Sequence, residues 1–485
     1  MNLKQKTISG LVWSFIENFA VLGFSFIVGI ILARILSPKE FGLIGMLTIF
    51  IAISESFIDG GFGQALIRKQ NCTQSDYSTV FYFNILIAVC CYVLLFLFAK
   101  SIGGFFHEPI LEKLIRVLGL GLIINSFTLI QRTILMKCLD FKLQAKISLA
   151  SSFFSGIISI YLAYTGWGVW SLVALILIRN IINSCLLWFL SKWKPIPDFS
   201  LKSFKELMSF GSNLLMSGLI DTIYGNVYYL VIGKYFSATE LGYYTRADQF
   251  QSLPSSNLQR IIKRVSYPVL LTIRDDIPRL RQAYEKIIRS TMFITFVLML
   301  GLAAVARPMI LSLIGEKWEP SIIYLQLLCF IGMFYPLQSL NLNMLQIQGR
   351  SDLFLKLEII KKALAVPVIF IGILWGIKTM IIGMMLLTLF SYFLNSYWSG
   401  RLIGYSSIKQ LMDILPSFLL ALIISAFVFA EGLIILLPPL PVLIIQLITG
   451  FSLTIGICEL FHFKDYLYIK EIVTNSLLTR KNNER

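Results

Sequence analysis

Any chemistry in this chain falls to a few charged and amide side chains set inside long apolar runs. Glu17 and Asn18 lie in the first run, and Asp59 closes the second beside Gly60 and Gly61. Arg179 and Asn180 interrupt the sixth, Asp221 and Asn226 lie in the seventh, and Arg246 and Asp248 open the eighth. A charge near the centre of a bilayer costs roughly 2.5–3.5 kcal/mol on insertion scales, so ionisable groups in such places point to function. Arg246 and Arg179 are candidates to bind an anionic substrate group such as a pyrophosphate, through charge-assisted hydrogen bonds. Asp221, Asp248, Glu17 and Asp59 are candidate gate residues, or binders of a coupling proton or sodium ion. Each also has a plainer reading. Glu17 could reach back to the interface, Asp59 could close a helix before a glycine turn, and Arg179 could meet headgroups or a neighbouring helix. Arg246 could pair with Asp221; Arg246 and Asp248 stand two apart, face different sides of a helix and need separate partners.

Enzyme chemistry has little to work with. The two histidines, His107 and His462, and seven scattered cysteines without a C-x-x-C argue against a zinc site or a histidine-based triad. Neither a Walker loop nor a G-x-G-x-x-G fingerprint occurs. We expect no catalytic residue, no metal ligand and no cofactor beyond H+ or Na+ as a coupling ion.

The elements that position these side chains are membrane helices. Of the 485 residues, 57% are apolar and only 14% charged, against about 25% charged in a soluble globular domain. Fourteen apolar runs have the length that crosses ~30 Å of hydrocarbon. They fall near 11–33, 41–60, 79–99, 114–136, 147–164, 168–190, 206–232, 244–270, 290–313, 321–345, 355–375, 378–399, 411–431 and 440–460. The first is too long for a signal peptide and reads as an uncleaved span. The predicted class is an all-α polytopic membrane protein. Pro254, Pro268, Pro336 and Pro367 are the expected places for bent or unwound segments.

An internal repeat runs through this pattern. Ala33–Leu43 reads A-R-I-L-S-P-K-E-F-G-L and Gly233–Tyr243 reads G-K-Y-F-S-A-T-E-L-G-Y, so Ser37/Ser237, Glu40/Glu240 and Gly42/Gly242 coincide. Each stretch lies between apolar runs, as the turn of a membrane hairpin, and two related halves in one chain is a common transporter plan. Arg34 and Lys234 sit at helix C-terminal ends, where a cation is favourable in any case. Tyr224, Tyr228, Tyr229, Tyr243 and Tyr244 suit either an interfacial aromatic belt or stacking on sugar rings.

The net charge of +16 follows the topology. Alternate loops on one side hold about three-quarters of the 42 Lys and Arg, as the positive-inside rule requires of the cytoplasmic side. Both termini are therefore expected in the cytoplasm, and nucleic acid is not an expected partner. The charged stretch 271–289, apolar at Ile277, Leu280, Tyr284, Ile287 and Ile288, is predicted to be an amphipathic helix lying on the cytoplasmic face. Glu358, Lys361 and Lys362 form an expected interface cluster.

Three stretches carry a resemblance: K-T-I-S-G-L-V-W-S at Lys6–Ser14, the segment Ala33–Leu43, and G-E-K-W-E-P-S-I-I-Y-L-Q-L-L-C at Gly315–Cys329. From residue 1 to about 460 the chain resembles the polysaccharide transporter family. These are Wzx-type flippases of the multidrug/oligosaccharidyl-lipid/polysaccharide (MOP) superfamily, and the likeness is to the colanic-acid and teichuronic-acid exporter branch. The resemblance implies two pseudo-symmetric six-helix lobes, at 1–200 and 201–405, then two further helices at 406–462 and a tail at 463–485. It implies transport of undecaprenyl-pyrophosphate-linked oligosaccharide across the bacterial plasma membrane by alternating access. Membrane lipids and a polysaccharide polymerase or assembly complex would be its partners. A cation-coupled small-molecule extruder of the same superfamily is the first rival reading. A membrane polymerase is the second, and short outer loops without paired carboxylates or histidine speak against it.

Overall fold

A computed structural model describes residues 20–191, 193–471 and 474. Glu17 and the Lys6–Ser14 segment lie outside the described residues. Regular structure among the described residues is wholly helical. The first half of the chain forms α1 (Ala20–Ile35), α2 (Pro38–Asp59), α3 (Phe62–Arg68), α4 (Gln74–Phe106), α5 (Ile110–Ser126), α6 (Leu129–Lys137), α7 (Phe141–Tyr164), α8 (Val169–Leu190) and α9 (Leu201–Tyr235). The second forms α10 (Ala238–Thr272), α11 (Ile277–Ala304), α12 (Ala306–Leu313), α13 (Ser321–Gly332), α14 (Tyr335–Ile347), α15 (Ser351–Trp375), α16 (Ile377–Ile403), α17 (Ser407–Ile434) and α18 (Pro439–Leu460). A short helix follows at 464–471.

Contacts divide the chain into two compact units at Gly242/Tyr243. α9 packs on α2 and α4 in the first unit. In the second unit α17 packs on α11, and α18 on α12 and α17.

Both units expose large apolar side chains and bury small polar ones beside an apolar core. α4 exposes Leu97 and Phe98, 69% and 58% accessible, along with Leu86, Val93 and Leu94. In the same unit α7 instead buries Ser151, Ser155, Gly156 and Ser159, a small-residue face that lets helix backbones approach closely. Ser159 Oγ donates to the Ser171 carbonyl of α8 at 2.7 Å, satisfying a hydroxyl that lipid would leave bare. In the second unit Asn341 of α14 does the same job. It donates to Gln410 of α17 at 3.2 Å and accepts from Ser399 of α16 at 2.5 Å.

Among the described residues eleven helical segments are long and apolar enough to cross a membrane, which makes this an integral membrane protein. The expected count of fourteen is not established by that measure. α10 and α15 occupy the places of the eighth and eleventh runs, but α10 mixes polar and charged residues with its apolar ones and α15 carries Asp352, Lys356, Glu358, Lys361 and Lys362. The described part of α1 is short.

The breaks in the helices differ from those expected of the prolines. Pro254 and Pro268 lie inside a continuous α10, and Pro367 inside a continuous α15; Pro336 alone of the four sits at a break, in the first turn of α14. Further breaks fall at Gly60–Gly61, between α2 and α3, and at Phe127–Thr128, between α5 and α6. Gly60 and Gly61 adopt φ of 53° and 72°, the left-handed region that favours glycine. A Cβ on Gly61 would also press on the Gly211 backbone of α9.

The predicted surface helix at 271–289 is corrected as well. From Ile277 it is the first part of α11, continuous with the membrane segment, because no glycine or proline interrupts the helix between Leu280 and Leu300. Its apolar stripe is real: Leu280, Tyr284 and Ile288 are fully buried against the unit instead of facing lipid.

The repeat has a structural meaning. Ser37 and Ser237 start α2 and α10. Glu40 accepts from the Ser37 N–H at 2.6 Å, and Ser237 Oγ accepts from the Glu240 N–H at 3.0 Å, so each copy caps its helix with this serine–glutamate pair. The glycines then let the two starts cross. A Cβ on Gly42 would overlap the Ala238 carbonyl, and one on Gly242 would overlap the Pro38 carbonyl. All three repeated residues are therefore explained by capping and close approach.

Candidate functional site

In the first unit the polar side chains gather around the break between α2 and α3. The apolar run of α2 ends at Glu55, and Glu55 and Asp59 stand four apart on one face of the helix. Both are accessible. Glu55 feels the charge of Arg132 on α6, and Arg132 Nη2 donates to Asn183 Oδ1 of α8 at 3.1 Å. Ser56 Oγ and Thr222 Oγ1 of α9 share a hydrogen bond of 2.9 Å, and Asn226 donates to the Thr222 carbonyl at 2.8 Å. Asp59 lies beside the Gly63 N–H. The Gly63 Cα points between Asp59 and Thr133, so a Cβ there would sit 3.2 Å from Asp59 Oδ1 and 3.7 Å from Thr133 Oγ1. Four helices thus bring carboxylates, an arginine, amides and hydroxyls to one place inside apolar segments. Such an arrangement can hold an anion at the arginine, or a cation between the carboxylates.

The expected residues divide unevenly around this cluster. Asp59 belongs to it. Asp221 is accessible on α9, one residue before Thr222. Arg179 is exposed on α8, one turn before Asn183, while its neighbour Asn180 faces Gly121 of α5. Glu55, Arg132 and Asn183 were not singled out from the sequence. The spacing of Glu55 and Asp59 was the available signal for the first. Arg132 falls inside the fourth apolar run, 114–136, near its basic end, where it is one of several charges.

In the second unit α10 carries the candidates. Arg246 and Asp248 are both half-buried, and Arg246 Nη1 donates to Gln249 Oε1 at 2.6 Å. Gln251 donates to Ser255 Oγ at 2.9 Å, and its amide packs where Gly332, at the end of α13, leaves no room for a side chain. Asp221 belongs to the first unit and Arg246 to the second. The tyrosines near these helices are not all belt residues: Tyr228 and Tyr244 are buried. Lys234 donates to the Phe105 carbonyl at 2.6 Å and lies over the Phe105 ring, so it closes the end of α4.

Outside the membrane segments, Lys69 bridges Asp76 at 3.2 Å and Glu206 at 3.0 Å. Burial works against its ammonium, but the two carboxylates outweigh it and raise its pKa above the ordinary lysine value. Arg350 forms a two-pronged pair with Asp352, both bonds 2.9 Å, and holds that carboxyl down to about 2.

Two solved transporters share this architecture. The lipid II flippase MurJ, in an inward closed conformation, superposes with a TM-score of 0.73 over 94% of this chain and 99% of that one, at 17% identity. An inward-facing multidrug resistance MATE family transporter of the MOP superfamily gives 0.61 over 82% and 99%, at 15% identity. The fold is therefore of the MOP transporter class. Within it, the chain belongs to the polysaccharide biosynthesis protein family, whose profile matches residues 31–323. It is 27% identical over 376 residues to the lipopolysaccharide biosynthesis protein WzxC of Escherichia coli (strain K12), covering 77% of this chain and 76% of that one. It is 26% identical over 358 residues to the teichuronic acid biosynthesis protein TuaB of Bacillus subtilis (strain 168), covering 73% of each. The succinoglycan biosynthesis transport protein ExoT of Rhizobium meliloti (strain 1021) is 27% identical over 306 residues, 63% of this chain and 62% of that one.

Proposed function

We propose that this protein is a flippase, not an enzyme. It carries undecaprenyl-pyrophosphate-linked oligosaccharide repeat units from the cytoplasmic to the outer leaflet of the bacterial inner membrane, for O-antigen, capsule or exopolysaccharide synthesis. The observation that carries this reading is the set of arginines and carboxylates inside the membrane helices of a polysaccharide-family transporter. A glycan headgroup cannot cross hydrocarbon, whereas its polyprenyl tail need not leave it. A polar path opened alternately to each side, with the tail left in lipid, meets both conditions.

In this proposal Arg246 binds the pyrophosphate by charge-assisted hydrogen bonds, with Arg132 and the more exposed Arg179 as further cations. Asp221, Asp248, Glu17 and Asp59 gate the path or bind the driving H+ or Na+, and Glu55 joins them. Fourteen spans place both termini in the cytoplasm, where the basic loops meet anionic lipid. A polysaccharide polymerase or assembly complex receives the flipped unit outside.

The test is to delete the gene in its host and assay lipid-linked glycans on each face of the membrane, then complement with wild type and Arg246→Ala. Repeat units stranded on the cytoplasmic leaflet with surface polysaccharide lost are the expected result. Arg246→Ala should fail to restore export at normal protein level. Normal surface glycan in the deletion strain, with new sensitivity to toxic cations, would transfer the protein to the drug-extruder class. Full export by Arg246→Ala would remove that residue from the substrate site.

A further inference from the structure

On the basic side of the second unit a groove of about 670 Å³ runs between α10, α11 and the helix at 464–471. Its walls are mostly apolar, with Leu258, Ile262 and Val269 from α10 and Ile287 and Ile294 from α11, and Ser266, Gln282, Ser290 and Thr291 among them. Arg279 and Lys286, two turns apart on one face of α11, stand on its rim, and Lys286 Nζ lies 5.9 Å over the Tyr468 ring of the C-terminal helix. From Lys286 the groove follows α11 toward the membrane for about 12 Å, as far as Ile294, at 1.5 Å per residue.

The charges around this groove are distributed unevenly. Arg281 pairs with Glu285 at 2.9 Å and Arg289 with Asp465 at 3.0 Å, on faces of α11 turned away from it. Lys69, on the basic side of the first unit, is likewise held by two carboxylates. Among the described residues neither Arg279 nor Lys286 has a carboxylate partner, and both are exposed. Two cations at the mouth of an apolar channel at the end of a membrane helix match one ligand chemistry: a phosphate joined to an alkyl chain.

We propose that this groove is a binding site for a resident anionic phospholipid, with its phosphate between Arg279 and Lys286 and one acyl chain along Ile287, Ile262 and Ile294. The site is separate from the polar clusters on α2 and on the first turns of α10, and it stands whether or not the cargo is a lipid-linked glycan. A zwitterionic phospholipid carries its own ammonium beside the phosphate, which competes with Arg279 and Lys286 for that charge.

The experiment uses the full-length protein, purified and delipidated in neutral detergent, and counts bound lipids by native mass spectrometry. The probes are phosphatidylglycerol and phosphatidylcholine of matched chains. Wild type should bind phosphatidylglycerol roughly 30-fold more tightly than phosphatidylcholine, on the scale of about 1 kcal/mol for each of the two cations near an anionic surface. The double variant Arg279→Gln/Lys286→Gln should lose that preference, and Lys202→Gln/Lys205→Gln, at the basic end of α9, should keep it. Equal binding of the two lipids by wild type, or a preference that survives in Arg279→Gln/Lys286→Gln, would overturn the proposal. Displacement of phosphatidylglycerol by equimolar undecaprenyl phosphate would also overturn it, by assigning the groove to a polyprenyl tail.

Discussion

Helices α2 and α10 each start at a serine, with glutamate three residues on and glycine five residues on, and the two starts cross at those glycines. Beyond the crossing they share little. α2 stays apolar as far as Glu55, carries carboxylates at Glu55 and Asp59, and breaks at Gly60–Gly61. α10 runs unbroken for 35 residues through two prolines and carries arginines at 246, 260 and 264. The polar groups of α2 reach other helices, Ser56 to Thr222 and Glu55 toward Arg132, whereas Arg246, Gln251 and Asn257 donate along α10 itself. The repeated residues hold the helices together; the unrepeated ones differentiate an acidic helix from a basic one. Duplication here conserves a joint and frees the rest of each helix for separate chemistry.

The largest test of that comparison is at the crossing. Gly42→Ala and Gly242→Ala each drive a Cβ into a backbone carbonyl, so each should cost about 3 kcal/mol or more, the upper end of overpacking effects. Thermal unfolding of the purified variants in detergent would read this. An unchanged midpoint for either one would mean that the crossing is not reciprocal, and the joint would belong to one copy alone.

Next in size is the divergent part. Arg132→Ala takes a charged donor from Asn183 and a cation from beside Glu55. A hydrogen bond to a charged group is worth about 1.5–3 kcal/mol, so export per molecule of protein should fall roughly 10- to 100-fold. Arg132→Lys keeps the charge but not the planar fork, and should recover only part of the loss. Export of surface polysaccharide at matched protein level is the measurement; wild-type export by Arg132→Ala would leave α10 as the sole seat of substrate recognition.

Hydropathy made the membrane class and the order of helices legible, because lipid imposes it on nearly every residue. The repeat was legible too, and its three identities turned out to be two caps and a crossing. The details of the site were harder to read. The break at Phe127–Thr128 has neither glycine nor proline to mark it, and it is what carries the chain on into α6 and Arg132. The apolar run 114–136 passes through that break without showing it, so Arg132 was not distinguished from the charges that follow. Prolines misled in the opposite direction, since Pro254, Pro268 and Pro367 lie inside continuous helices. Ile277–Arg289 was read correctly as amphipathic and wrongly as a surface helix. Periodicity reports which face is buried, but not whether lipid or protein buries it.

A smaller effect tests whether α2 is tied to α9 through its polar face. In a double-mutant cycle of Ser56→Ala and Thr222→Val, the shared hydroxyl bond should appear as a coupling of about 1 kcal/mol in unfolding free energy. Strictly additive losses would show that the two hydroxyls are satisfied independently, and the contrast with α10 would weaken.

The smallest expected effect separates the two caps. In α10, Ser237 Oγ accepts the Glu240 N–H, so Ser237→Ala should cost about 1 kcal/mol. In α2, the Glu40 carboxylate holds the Ser37 N–H at 2.6 Å and would keep doing so after Ser37→Ala, which should therefore cost less. Glu40→Ala removes that carboxylate and should exceed Ser37→Ala. Unfolding midpoints of the three variants, measured in one detergent, give the order directly. If Ser37→Ala proved the most damaging, the first copy would depend on its hydroxyl as the second does, and the two starts would be alike in mechanism as well as in sequence.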